Sequence, residues 1–411
     1  MAIKGISQLQ ATFGFLLVLL LLLPSCEFFS SEDTDKIRFG ATISRTGRYA
    51  REGQAVKRGY DLWVDFVNDK GGIQLGNRRF KVEIIYYDDN SDASEVTRLT
   101  DKLISEDKVN FLLGPYSSPL TKAASDIAEK YQVPMVEGMG ASDSLFEQGK
   151  KYLFAVMTPG SLYMKALLER ASQLDPKPRT LAIAAEDTIF PKSTAAGIQK
   201  WAPRYGIEVI AYEEFPRDVT DVTPILTKFK ALNPDIFIGS TYTETSMLLV
   251  RQSRKINFSP KIMAFSIGAA TPSFAEGLGS DAEFIWGSSQ WERNLSYDGP
   301  VFGSAGNYAE LFHQKYGEWP NYHNAEASAA AVTFQLAIEK AGTLDREQVR
   351  DALTSLDTET FYGPVRFDES GKNVSKPMFA IQIQKGTRVI VAPKEIQRGD
   401  PIYPMTPWNK R

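Results

Sequence analysis

Val109-Asn110-Phe111-Leu112-Leu113-Gly114-Pro115-Tyr116-Ser117-Ser118 runs from an apolar stretch through a glycine to a pair of serines. It reads as a strand closing at Gly114, a short loop, and a helix opening at Ser118. Leu120, Ala123, Ala124, Ile127 and Ala128 follow at helical spacing, marking one apolar face. Val133 to Val136 is apolar again. Strand, helix and strand in succession form the repeating unit of a parallel sheet, whose neighbours need a crossover of a dozen or more residues.

The alternation extends in both directions. Upstream strand candidates are Ile37 to Ile43 and Phe80 to Tyr87; downstream ones are Tyr152 to Met157, Thr180 to Ala185, Glu208 to Tyr212, Asp235 to Ile238 and Lys261 to Phe265. Most are continuous apolar runs, as expected of strands covered on both faces. Val56, Tyr60, Trp63, Val64 and Val67 recur at helical spacing, as do Val222, Ile225, Leu226 and Phe229. Asp92 with Glu95 predicts a capping box. Ala327 to Ala341 predicts a long helix, and Met378 to Ile383 with Arg388 to Val391 a hairpin turning at Lys385-Gly386-Thr387. The fold class is α/β, with two doubly wound, Rossmann-like lobes. Soft boundaries lie at Met157 to Gly160, at Gly287 to Gln290, where strong strand or helix character is lacking, and at Phe367 to Gly371. They predict discontinuous lobes, 36–158 plus 289–366 and 159–288 plus 367–403.

Cys26 is the only cysteine in 411 residues. It follows an apolar run, Phe13 to Leu23, too short for a bilayer, which needs about 20 residues, and suited to the core of a secretory signal. Leu23-Pro24-Ser25-Cys26 resembles a bacterial lipobox, which implies a leader over 1–25, acylation of Cys26 and a polar tether over 26–35. An ordinary signal peptide with an incidental cysteine is the alternative. With Cys26 acylated, the exported part has no thiol for a disulfide, a nucleophile or a metal. Lys plus Arg total 47 against 50 acids, a net charge of -3 with no basic block. No nucleic-acid partner is expected.

Gly114-Pro115-Tyr116-Ser117-Ser118, then Ala124-Ser125-Asp126-Ile127-Ala128 and Val133-Pro134, resembles the first-lobe signature of the leucine/isoleucine/valine-binding proteins. Thr46-Gly47, Lys70-Gly71-Gly72-Ile73, Tyr87-Asp88-Asp89 and Asn233-Pro234-Asp235 fit the same family in order, over Lys36 to about Pro393. The resemblance implies type I periplasmic-binding-protein architecture, two lobes on three hinge crossovers, closing on a small solute that is handed to an ABC importer. It implies ligand contacts at Ser117 and Ser118, at Gly140, Ala141 and Ser142, and at Phe190 and Tyr242 in the second lobe. Where relatives place a glutamate for the ligand ammonium, the register gives Ser266; where they place a first-lobe tyrosine, it gives Glu52. Asp187, Glu244 or Glu137 could replace that glutamate, although each also reads as a solvated loop acid. Members bind branched-chain and other amino acids, amides, urea or aromatic acids, so the solute stays open.

The residues carry their own chemistry. A helix N-terminus offers unpaired N–H groups and a positive dipole end, so the Ser118 end can hold a carboxylate without a fixed cation; a plain N-cap is the bland reading. Gly138-Met139-Gly140 begins a dinucleotide pattern but meets Asp143 at the third glycine position, which would repel a pyrophosphate. Tyr49 and Tyr116 read as partly exposed packing residues. His313 reads as packing, and Tyr322-His323-Asn324 could approach the cleft. No nucleophile elbow, phosphate loop or paired-histidine metal motif occurs, so neither catalysis nor a cofactor nor a metal is expected. The sequence reads as a monomeric solute-binding lipoprotein of the cell envelope, with a small-molecule solute, an importer permease and, through its lipid, the membrane as partners. A lipoprotein gripping a protein partner and a receptor lobe are the alternatives. The solute reading requires an open, wet crevice faced by Ser118 and Tyr242.

Overall fold

Residues 36–411 are described in the computed structural model; the leader, the tether and Cys26 lie outside the described residues. The first six strands are β1 (Lys36–Ile43), β2 (Ile73–Leu75), β3 (Arg78–Asp88), β4 (Phe111–Leu113), β5 (Met135–Glu137) and β6 (Leu153–Ala155). They form one sheet in the order β2-β3-β1-β4-β5-β6. β1, β4, β5 and β6 pair in parallel. Helices α1 (Ala50–Asp69), α2 (Ala93–Ser105) and α3 (Ser118–Tyr131) supply connections. Asp92 caps α2 by accepting from the Ser94 and Glu95 N–H groups; the reciprocal half of the expected box is not formed.

The next segment carries α4 (Lys165–Ala171), β7 (Thr180–Glu186), α5 (Ile189–Trp201), β8 (Glu208–Phe215), α6 (Thr223–Leu232), β9 (Ile236–Ser240), α7 (Thr243–Lys255), β10 (Ile262–Phe265), α8 (Pro272–Leu278) and β11 (Trp286–Ser289). Helices α9 (Ala305–Tyr316), α10 (Tyr322–Ala341) and α11 (Arg346–Thr354) follow, then the small pair β12 (Asp357–Thr360) and β13 (Gly363–Arg366). The hairpin β14 (Phe379–Gln384) and β15 (Thr387–Ala392) completes the second sheet, ordered β15-β14-β11-β10-β9-β7-β8. Its last two strands are antiparallel additions to a parallel set. β11 occupies residues expected to lack strand character. Gly287, Ser288 and Ser289 have little intrinsic preference for a strand, but burial between β10 and β14 overrides it.

Although α10 lies far along the chain, it packs on α1. Ser328 donates to the Gly59 carbonyl at 2.6 Å, and the Trp63 indole donates to Gln335 at 3.0 Å. A Cβ on Gly59 would stand 2.3 Å from the Asn324 carbonyl oxygen, so glycine is what lets the helices touch. α10 begins before the expected Ala327 because Asn321 and Asn324 close a reciprocal cap.

The chain therefore passes between the sheets after β6, after β11 and before β14. The three passages are tied together. Thr158 and Gln290 exchange hydrogen bonds at 3.2 Å, and Lys376 donates to the Gln290 carbonyl at 2.8 Å. No described helix is long and apolar enough to cross a membrane.

Candidate functional site

β4 ends at Leu113, and the loop beyond it turns through Ser117, whose φ of 76° lies in the left-handed region. A serine held there is strained, a condition that persists where surrounding structure enforces it. Gly114 leaves room for the next strand: a Cβ on it would lie 2.2 Å from that of Glu137. The loop delivers the head of α3 to the boundary between the sheets. Ser117 is the N-cap, yet its hydroxyl caps nothing and has no partner. The Ser118 hydroxyl accepts from the Ser142 N–H at 3.0 Å.

Phe190 and Tyr242 face this point from the second sheet. The Tyr242 ring lies 5.3 Å from that of Tyr49, 6.2 Å from Tyr116 and 5.5 Å from Phe190, centroid to centroid. Burial pushes the Tyr242 phenol well up, and Tyr49 and Glu186 add to this. The Ser118 N–H facing the phenol oxygen pulls the other way. Ser118 and Tyr242 thus adjoin one space, although Ser118 does not itself line it. That space is not an open, wet crevice. Aromatic rings fill it, leaving a residual cavity of about 10 Å³ walled by Ala141, Phe190, Tyr242 and others, roughly the room of one water. Tyr49 and Tyr116, expected to be partly exposed, are each 2% exposed. They complete a cluster spanning both sheets.

Other expected site residues fall around this centre. The Ser142 hydroxyl donates across the boundary to the Ile189 carbonyl at 3.0 Å. Gly140 donates its N–H to the Glu137 carboxylate. Ser266 does not reach the cavity, because its hydroxyl is engaged with Thr241 N–H at 3.0 Å and Thr241 carbonyl at 3.1 Å. Asp187 and Glu244 are exposed. Glu137 is no solvated loop acid: it is fully buried at the end of β5, and burial raises its carboxyl to about 7 against the Gly140 and Met139 N–H groups. Glu52 lines a groove of about 610 Å³ at the sheet boundary, which it shares with His323, Arg58, Arg293 and Trp319. His323 belongs to both groove and cavity; His313 stacks on Trp319 at 4.3 Å.

Sequence reasoning missed several cavity residues, Tyr163, Met157 and Glu326 among them. Tyr163 follows the first passage, and Met157 lies within it. Glu326 sits one turn into α10, 1% exposed, its carboxylate accepting from the Tyr362 hydroxyl at 3.0 Å. A buried glutamate in an alanine-rich helix face was the available signal. Ser117, Tyr116 and Tyr242 hydroxyls are all buried and none closes a hydrogen bond, the Ser118 N–H only facing that of Tyr242, which is unusual for a structural core, where buried polar atoms are paired. Among the described residues no cluster of metal ligands occurs.

Two α/β sheets joined by three passages, with groups from both meeting at a buried boundary, define a two-lobed binding-protein fold. The chain belongs to the periplasmic binding protein family, whose profile matches residues 36–388. It is 24% identical over 374 residues to the Leu/Ile/Val-binding protein homolog 7 of Brucella suis biovar 1, covering 87% of this chain and 91% of that one. Its fold is similar to the isoleucine complex of the branched-chain amino acid transporter substrate-binding protein LivJ from Streptococcus pneumoniae (TM-score 0.76, 23% identity, 87% and 100% of the two chains). A benzoate-bound ABC transporter solute-binding protein from R. palustris is similar too (TM-score 0.74, 17% identity, 87% and 96%). The expected type I architecture is met.

Proposed function

We propose that this protein is an extracytoplasmic solute-binding lipoprotein of an ABC importer, not an enzyme. It captures a small polar solute, an amino acid or a related amide or carboxylate, between lobes 36–158 plus 289–366 and 159–288 plus 367–403. The observation that carries this reading is the meeting of the α3 head with Tyr242 amid buried, unpartnered hydroxyls of Ser117, Tyr116 and Tyr242. Those groups are too polar for a structural core and are suited to a guest with its own donors and acceptors. Closure is a population shift, its extent set by how much better the solute binds the closed form. Filled as it is, the centre describes closed lobes whose rings have settled into the solute's space. A solute would enter with the lobes apart and turn Tyr49, Tyr116 and Tyr242 outward as they close.

That same filling favours a second reading, an envelope lipoprotein that grips a protein partner and needs no solute. Thermal denaturation against amino acids, amides, urea and aromatic acids separates the two. A solute at a hundredfold its Kd should stabilise by about 2.7 kcal/mol. A panel without any response would discard the solute reading in favour of the protein-gripping one.

A further inference from the structure

We propose that Glu326, with Glu137 behind it, receives a cationic end of the solute, so that the solute carries an ammonium or similar group. This rests on the solute-binding reading and names its substrate class. The position where relatives' register puts an acid is Ser266, whose hydroxyl is engaged within its own sheet. A buried ammonium there would have no counter-charge, an unfavourable arrangement. The acid comes instead from the other lobe. Glu326 lines the central cavity together with Tyr116, Tyr163, Tyr242 and Tyr322. Ring faces attract cations, so the walls and the floor favour the same kind of guest.

The floor has more acid than base. Glu137 is fully buried, two backbone N–H groups reach its Oε2, and its Oε1 has no partner. Glu326 accepts from Tyr362. Neither carboxyl belongs to an ion pair among the described residues. Lys376, the nearby cation, points at carbonyls of Gln290 and Tyr362, 2.8 and 2.9 Å away. The remaining groups facing the two acids are the phenols of Tyr60, Tyr163, Tyr322 and Tyr362, all neutral, and His323, which burial keeps neutral. Burial raises both carboxyls, and a guest cation would oppose that rise and favour their charged forms.

Isothermal titration calorimetry tests this with matched probes: L-leucine and L-phenylalanine against the 2-oxo acids of the same skeletons, with benzoate as a third carboxylate. The amine-bearing member should bind roughly tenfold or more tightly than its oxo partner. Its binding should release protons at pH 6, read as a heat that changes between two buffers of different ionisation enthalpy. Glu326→Gln should shrink the amine-to-oxo ratio to about threefold or less. An oxo acid or benzoate that matches the amines in the unaltered protein would overturn the assignment, as would a ratio that survives Glu326→Gln. The comparison in the unaltered protein decides the matter even if the variant does not fold. If no probe binds, this inference fails for want of an amine preference, while the solute-binding reading is decided separately by the wider thermal panel.

Discussion

Arg48, in the loop after β1, reaches Glu186 at the end of β7, its Nη2 lying 3.2 Å from Glu186 Oε2. The same guanidinium donates to the Arg217 carbonyl at 2.6 Å and to the Thr245 hydroxyl at 3.0 Å. One first-lobe side chain thereby fastens three points of the second lobe. Glu186 is fully buried; burial raises its carboxyl, and Arg48 opposes the rise. Arg48→Ala leaves that acid without its ion-pair partner, with the Thr245 hydroxyl still donating to it. The closed form should lose roughly 1.5–3 kcal/mol, the worth of a charged hydrogen bond. Small-angle scattering should report a larger radius of gyration, partly restored in the double variant Arg48→Ala, Glu186→Gln. Unchanged scattering would mean that other contacts hold the lobes together.

Ser118→Ala removes the acceptor of the Ser142 N–H and one hydroxyl from the head of α3. Its effect on folding should be about 1–2 kcal/mol in urea titration. Affinity for a carboxylate-bearing solute should fall by roughly tenfold or more. An affinity equal to the unaltered protein's would take Ser118 out of the binding site and leave it a bridge between two loops.

Four buried groups give the stability a pH dependence whose signs differ. Burial lifts Glu137 from 4.5 to about 7, so its contribution is complete below 4.5 and is lost as pH rises through 7. Glu326, raised mainly by burial, acts in the same direction. His323, lowered from 6.5 to about 3 by burial, is lost instead as pH falls from 6.5 toward 3. Lys376, lowered from 10.5 to about 7 by burial against the pull of Glu326, adds stability only as pH climbs from 7 toward 10.5. Glu137→Gln should therefore flatten any decline between pH 5 and 7, by at most about 1.4 kcal/mol per pH unit. Urea midpoints at pH 5, 6 and 7 measure it; parallel profiles for the two proteins would show that Glu137 is already ionised.

Cys26→Ser should move the protein from the membrane fraction to the soluble fraction of cells. A cysteine that is acylated becomes the first residue of the mature chain, so mass spectrometry of the unaltered protein should find a diacylated or triacylated N-terminal peptide. An unmodified peptide, or equal partition of both proteins, would leave Cys26 incidental.

What the sequence disclosed was whatever depends on local pattern. The Phe111–Leu113 strand, the glycine behind it and the helix at Ser118 stand where their apolar spacing puts them, because continuous apolar runs and a 3.6 period are local signals. β11 was hidden because Gly287-Ser288-Ser289 becomes a strand only through the neighbours on either side. Burial of polar groups was hidden for the same reason. Glu137 reads as a loop acid until Gly114 is seen to make room for it, and Tyr49 reads as a partly exposed packing ring until Tyr116 and Tyr242 meet it. Ser266 was placed by alignment to a family register; its hydroxyl direction is set by Thr241, which no register reveals.

Gly59→Ala tests whether the position of α10 governs the site. An added methyl would lie 2.3 Å from the Asn324 carbonyl oxygen and 2.8 Å from the Ala327 Cβ. Both neighbours are helix backbone or a methyl fixed to it, so neither can swing aside and the helices must separate. Overpacking of this kind typically costs about 1–3 kcal/mol, and some of that is offset because alanine is the better helix former by about 1 kcal/mol. A net loss of about 0–2 kcal/mol should appear in urea titration. Binding should suffer more than folding, since His323 and Glu326 ride on the first turns of α10 and both line the cavity. Affinity for an amine-bearing solute should therefore fall while Cys26-dependent membrane association stays as it was. If affinity holds and only stability drops, α10 is scaffolding, and the cavity's floor is set from β5 alone.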